Sequence, residues 1–330
     1  MAPSSATAAS RSSAGGNGLV RTSRPRRVAA VATAVVSIAA CGGSEPGRPL
    51  SVPPGPDLPT SSSSRVALIV MENKESSEVL GSPSSPYVSR LARRYGVATH
   101  SYAIRHPSLP NYLALTSGST DGIASDCTAC HVAAPNIVDQ LEAAGISWKA
   151  YMEDLPGPCS AVATAGGYAK KHDPFMYYDD VARNRRRCGN VVPFDRLASD
   201  LRHATLPMFS FISPNLCNDT HDCDVATGER FLAGLVPRLL REAGPHGFVI
   251  LTWDEGKTND GCCVDAHGGR IATVVAGPDV RPHARSARPV DHYGVLRTVE
   301  GAFGIGTLAA ASLGRSGSLD GLFARAPHVR

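Results

Sequence analysis

Apolar residues along the 330-residue chain gather into two kinds of pattern. Residues 66–71, 208–212, 248–252 and 271–276 are continuous apolar runs. Uninterrupted runs, rather than alternating ones, predict strands buried on both faces, as in a parallel sheet covered by helices. Helical periodicity falls between them. Residues 86–95 form one such stretch, and residues 136–144 another, with Asn136 as cap and Gly145 as terminator. Phe231, Leu232, Leu235, Val236, Leu239 and Leu240 follow i, i+3, i+4 spacing, which marks an amphipathic helix. Pro237 lies inside that pattern and is predicted to kink the helix or divide it. Residues 291–303 read as a last helix, and no internal repeat is present. The alternation predicts a single α/β domain with loop insertions.

The first forty residues stand apart from that pattern. Arg21, Arg24, Arg26 and Arg27 precede an apolar stretch, 28–40, that is too short for a permanent bilayer span. It ends in Ile38-Ala39-Ala40-Cys41, which resembles a bacterial lipobox. The resemblance implies cleavage before Cys41 and lipidation of its sulfur; the alternative is an ordinary secretory signal with Cys41 incidental. Residues 41–64 are rich in Gly, Pro and Ser and read as a flexible tether, leaving 65–330 as the folded domain. The net charge of +4 includes the leader arginines. Neither a dense Lys/Arg stripe interleaved with aromatics nor an RNA-binding signature is present, so nucleic acid is not an expected partner.

Of nine cysteines, eight lie beyond Cys41, and an even number in an exported chain reads as disulfides. Cys127 and Cys130 have the spacing of a redox or zinc pair, but no second such pair and no nearby histidine pair complete a zinc set, so a loop bridge is expected. Cys159 with Cys188 would staple an inserted loop. Cys217 and Cys223 lie in a loop that could meet Cys262 or Cys263.

Candidate chemistry gathers at three places. In Arg-His-Pro-Ser-Leu-Pro-Asn-Tyr (105–112), Ser108 stands between two prolines and before an apolar run, which predicts the N-cap of a helix, facing free N–H groups suited to an anion. The run 66–71 leads into Glu72-Asn73, and the run 248–252 leads through Trp253 into Asp254-Glu255. Ligands bind beyond the carboxyl ends of strands in open parallel sheets. Three carboxylates and an amide there describe a hard-cation site, for magnesium, calcium or manganese in preference to zinc.

Together with the loop Asn218-Asp-Thr-His-Asp222, these motifs are similar to the phosphoesterase family of secreted acid phosphatases and bacterial phospholipases C, including small phosphoinositide-acting phosphatases. The resemblance runs from Val66 to about Phe323. It implies an alkaline-phosphatase-like three-layer α/β/α fold with a mostly parallel sheet. It also implies one divalent ion on Glu72, Asn73, Asp254 and Glu255, and Ser108 as nucleophile of a phosphomonoesterase that forms a phosphoserine. His106, His221 and Asp222 are implied in catalysis, with Asp219 a rival of Asp222 because the order of His and Asp differs from some relatives. Lys171, His172 and His267 are implied at the pocket. Asn111 is expected to hold non-bridging phosphate oxygens along with the N–H groups after Ser108. The expected partners are a phosphate ester and a membrane reached through the lipid anchor, with the protein itself a monomer. The alternatives are a phospholipase C-type diesterase and a lipid-anchored protein that binds phosphate esters without turnover.

Overall fold

The computed structural model describes residues 63–329. The leader, Cys41 and all but the last two residues of the tether lie outside them. In chain order the main elements are β1 (Val66–Met71), α1 (Pro86–Arg94), β2 (Gly96–Tyr102), α2 (Ser108–Ser117), α3 (Ile137–Ala143) and β3 (Trp148–Met152). There follow β4 (Val191–Pro193), α4 (Phe194–His203), β5 (Phe209–Ser213), α5 (Val225–Glu242), β6 (Phe248–Trp253) and β7 (Arg270–Ala276). Two short strands, β8 (Ala284–Ser286) and β9 (Val290–Asp291), lead into α6 (His292–Phe303).

These strands form one nine-stranded sheet in the order β8-β2-β7-β6-β1-β5-β3-β4, with β9 also on β2. β1 runs parallel to both β5 and β6, and β3 parallel to both β4 and β5. β7 is antiparallel to its neighbours β2 and β6, which leaves every other strand pointing the same way. The carboxyl ends of β1, β2, β5 and β6 therefore share one edge. Because β7 enters from that edge, the 254–269 connection stays there too.

Uninterrupted apolar strands suit this arrangement because each face packs under helices. Val66, Leu68 and Val70 of β1 join a core with α2, α3 and α6, whereas Ala67, Ile69 and Met71 join a second core with α1, α4 and α5. The α5 helix continues from Val225 to Glu242 through Pro237, undivided. Burial of Leu232, Leu235, Val236, Leu239 and Leu240 on both sides of the proline outweighs the one hydrogen bond it removes. Among the described residues no helix is long and apolar enough to cross a membrane.

Cys127–Cys130 and Cys159–Cys188 are bonded as expected. The other four cysteines pair within their own loops, Cys217–Cys223 and Cys262–Cys263, instead of joining the two loops. The strand order explains it: β1 lies between β5 and β6, so the loops that follow them leave the sheet about 10 Å apart.

Candidate active site

Glu72 is the first residue beyond β1 and is wholly buried. Its N–H donates to the Asp219 carbonyl at 2.8 Å and its carbonyl accepts the Thr220 hydroxyl at 2.6 Å, tying the end of β1 to the loop after β5. Asp254 is fixed to the same strand from the other side, donating its N–H to the Met71 carbonyl at 2.8 Å. The buried His292, at the start of α6, contacts the Asp254 carbonyl through Nε2 at 2.5 Å. The two acid-tipped strands do meet.

Ser108 is not the cap of α2 but its first residue; Pro107, in an extended conformation, holds the cap position. This turns the hydroxyl inward. Ser108 is 1% exposed, and its Oγ donates to Glu72 Oε2 at 3.1 Å, with Glu255 Oε1 at 3.5 Å. One helical turn on, on the same face, the Tyr112 hydroxyl donates to Glu72 Oε1 at 2.5 Å. Its ring stacks on His172 with centroids 5.3 Å apart. The motif tyrosine, which had no role assigned from sequence, thus orients both Glu72 and His172.

His172 Nε2 stands 3.1 Å from Glu72 Oε1 and its Nδ1 3.4 Å from Asp219 Oδ2. Glu72, His172 and Asp219 converge closely enough to share one ion. Two members of this converging group extend the expected set: His172, expected at the pocket wall, and Asp219, the rival of Asp222, while half-buried Asn73 follows Glu72 directly. Glu255 sits outside it, bound to His106 Nδ1. Asp222 is 58% exposed and accepts from His221 Nδ1 at 2.7 Å on the rim.

Burial pushes the Glu72 carboxyl up to about 7, with His172 opposing the rise and Asp219 adding to it. Burial likewise lifts Asp219 to about 8, and, aided by Glu72 and Glu255, raises Asp254 well above the carboxylate range. Desolvation takes the His172 imidazole down to about 4. Both Asp254 oxygens, Asp219 Oδ2 and His172 Nε2 are buried without a hydrogen-bond partner. Unpaired buried acids are costly, and a cation among them offsets the cost. The residues therefore fit one divalent ion. Cys262, Cys263 and Asp291 also converge, but their sulfurs are joined to each other and are not free thiolates.

Asn111 does not face the site. Its Oδ1 accepts the N–H groups of Ile104 (2.9 Å) and Arg105 (3.1 Å), and its Nδ2 donates to the carbonyls of Arg105 (2.6 Å) and Pro107 (3.3 Å). With both donors and both lone pairs spent on the turn before Ser108, it shapes that turn and has nothing left for substrate. His267 is exposed, its Nε2 3.2 Å from the Val264 carbonyl of its own loop. Lys171 does reach the rim, with Nζ 3.2 Å from both Asp126 Oδ2 and His221 Nε2. Asp126 was missed from sequence.

The model of the phosphoesterase family matches residues 70–306, a span that holds every one of these groups. The chain belongs to the phosphoesterase family. Phosphoesterases hydrolyse phosphate esters. Similar proteins include the phosphatidylinositol-3-phosphatase of Mycobacterium tuberculosis, 33% identical over 242 residues, covering 73% of this chain and 77% of that protein. An acid phosphatase of Aspergillus fumigatus is 29% identical over 231 residues, covering 66% of this phosphoesterase but only 50% of the fungal protein. In structure the chain resembles an alkaline phosphatase superfamily protein of Vibrio parahaemolyticus, with TM-score 0.51 at 12% identity over 73% of this chain and 66% of that one. A lipoteichoic acid synthase of Listeria monocytogenes gives TM-score 0.51 at 10% identity, covering 75% and 73% of the two chains. At such identities the likeness concerns the fold, which is the alkaline-phosphatase type.

Proposed function

We propose that this phosphoesterase is a metal-dependent phosphomonoesterase whose nucleophile is Ser108 and whose substrates are phosphoinositides or small organic phosphates. One observation carries the reading: a buried serine hydroxyl held on Glu72, beside carboxylates whose own oxygens have no partner. Glu72, His172, Asp219 and Asp254 would hold the ion. A donor set with one imidazole nitrogen among carboxylates suits manganese, iron or zinc better than calcium or magnesium, which shifts the preference drawn from an all-oxygen set. When bound, the ion supplies positive charge that favours the serine alkoxide and the anionic phosphoryl group.

The remaining chemistry belongs to the chain. Glu72 Oε2 accepts the Ser108 proton as the serine oxygen bonds to phosphorus and the bond from phosphorus to the ester oxygen breaks. The leaving oxygen needs a proton, and His106 would supply it on turning one ring nitrogen away from its present partner. Its Nε2 lies 2.9 Å from the Thr258 carbonyl, which only accepts, so the Nδ1 contact with Glu255 must hold a second proton on one partner or the other. Water then attacks phosphorus and gives its proton to His106, while the bond from phosphorus to the Ser108 oxygen breaks and the proton held on Glu72 returns to that oxygen. Lys171, at the mouth, balances phosphate charge. The phosphoinositide class is suggested by the mycobacterial relative. Four disulfides and the leader pattern support export, and the Cys41 motif supports a lipid-anchored domain on the 41–64 tether.

Ser108→Ala tests the proposal. Hydrolysis of an aryl phosphate is lost while stability stays within about 1 kcal/mol, the value of one hydrogen bond. Wild type exposed briefly to substrate and quenched in acid carries phosphate on residue 108. Undiminished turnover by the folded variant would refute the assignment.

A further inference from the structure

Asp126 joins two parts of the site that the proposed chemistry leaves unconnected. Its Oδ1 accepts the Leu109 N–H at 3.0 Å, the amide directly after Ser108. Its Oδ2 pairs with Lys171 Nζ at 3.2 Å, and the same ammonium reaches His221 Nε2 at 3.2 Å. An ammonium only donates, so His221 Nε2 accepts and its Nδ1–H donates to Asp222. A continuous polar line therefore crosses the mouth, from Asp222 on the loop after β5 to the first turn of α2. The segment that carries Asp126 is itself fastened: the Cys127–Cys130 bridge closes it, and Lys170 Nζ donates to the Thr128 carbonyl at 2.9 Å.

Lysine has a long flexible stem and does not hold a position without a partner. Inward of Lys171 lie Glu72 and Asp254, whose charges also attract it. Asp126 draws it the other way. The side chains of Asp126 and Lys171 are 27% and 21% exposed, so the pair is shielded more than a surface ion pair yet open to an entering anion.

We infer that Asp126 is a positioning residue. It keeps Lys171, and through it His221, at the mouth where a phosphoryl group enters, and it ties the start of the Ser108 helix to the disulfide-closed segment. This rests on the phosphatase reading of the same site. Without Asp126, the ammonium has no carboxylate to hold it at the mouth and no longer meets substrate in a fixed position.

Asp126→Asn retains an acceptor for Leu109 N–H and removes the charge that holds Lys171. The expected result is a KM for aryl phosphate raised about tenfold, with kcat within about twofold, the size of one charge-assisted hydrogen bond. In a Lys171→Ala background the same change has little further effect, because its route has been removed. Asp126→Ala, which also frees Leu109 N–H, lowers kcat as well. Calorimetric binding of inorganic phosphate runs alongside turnover. Wild type that binds phosphate but hydrolyses no ester refutes the phosphatase reading, while weaker binding by Asp126→Asn still supports the positioning role. Unchanged or lower KM and phosphate Kd in a folded Asp126→Asn variant overturn the inference, as does an equal effect in the Lys171→Ala background.

Discussion

Asp254→Asn separates the demands of function from those of folding. Asp254 is wholly buried, neither of its oxygens has a hydrogen-bond partner, and Glu72 and Glu255 both disfavour its ionised form. In the metal-free protein it is a liability. Asparagine has the same shape and no charge, and its amide can donate to the adjacent Glu72. Relieving one unpaired buried acid is worth about 2 kcal/mol. For a domain of this size about 1 kcal/mol moves the melting temperature by roughly 2–4 °C, so the chelator-treated variant should melt about 4–8 °C above chelator-treated wild type. The ion reverses the ranking, since a ligand at one hundred times its Kd adds about 2.7 kcal/mol to the form that binds it. Wild type should therefore rise sharply on adding manganese or zinc, while the variant, with an incomplete shell, rises little and is inactive. Melting curves with and without metal, together with elemental analysis, provide the assay. A variant that melts lower without metal and keeps the full metal-induced rise would refute the argument, making Asp254 a structural acceptor.

The two aspartates of the 214–224 loop should respond differently: Asp219→Asn loses metal and activity together, whereas Asp222→Asn, on the rim, changes turnover by about threefold at most, the value of an exposed pair. Steady-state kinetics on the two variants decides it, and the reverse ranking would return the inner place to Asp222. Metal-free protein should lose stability as pH rises from 6.5 to 8.5. Glu72 and Asp219 are lifted from ordinary values to about 7 and 8, so the folded state holds protons that the unfolded chain has already released, and that advantage disappears as pH passes the folded values. The buried His172 and His292, both lowered to about 4, oppose the trend in part near pH 6.5, where the unfolded imidazoles are still about half protonated, but not above about 7.5. Denaturant midpoints in chelator across that range measure it; a rising midpoint would be inconsistent with acids buried without a cation.

The parts of this fold that could be read from sequence are those whose burial is the same on both faces. β1 and β6 sit mid-sheet between two helical layers, so their apolar runs are unbroken. β2 and β3 escaped notice because polar residues interrupt them. Thr99 and His100 fall where β2 shifts register against β7, and Lys149 in β3 is satisfied by Asp200 of α4 at 2.5 Å, a partner 51 residues away that no local pattern reveals. The site divides along the same line. Glu72, Asp254 and Glu255 follow strands, so their direction follows from the strand, and Ser108 follows from the proline-bounded turn. Asn111 was misassigned because a motif amide says nothing about which backbone groups its turn leaves unpaired.

The 214–224 loop shows the limit most clearly. Asp219 and Asp222 are three residues apart with a histidine between them, and nothing in that order says which faces inward. The answer lies in Thr220, held at φ 80°, a left-handed conformation that a β-branched residue rarely adopts. Its hydroxyl on the Glu72 carbonyl at 2.6 Å, the Asp219 carbonyl on the Glu72 N–H and the Cys217–Cys223 bridge hold it there. The reversal at Thr220 buries Asp219 beside His172 and turns Asp222 out to the rim with His221. A conformation of that kind persists only where its surroundings over-determine it, and here bonds within the loop (Asp219 N–H to the Asn215 carbonyl, Asp222 N–H to the Leu216 carbonyl) and the disulfide are joined by two bonds to Glu72, the residue that also accepts from Ser108. The strained turn and the Glu72 carboxylate are therefore one structural unit, assembled from the end of β1 and a loop 148 residues further along the chain.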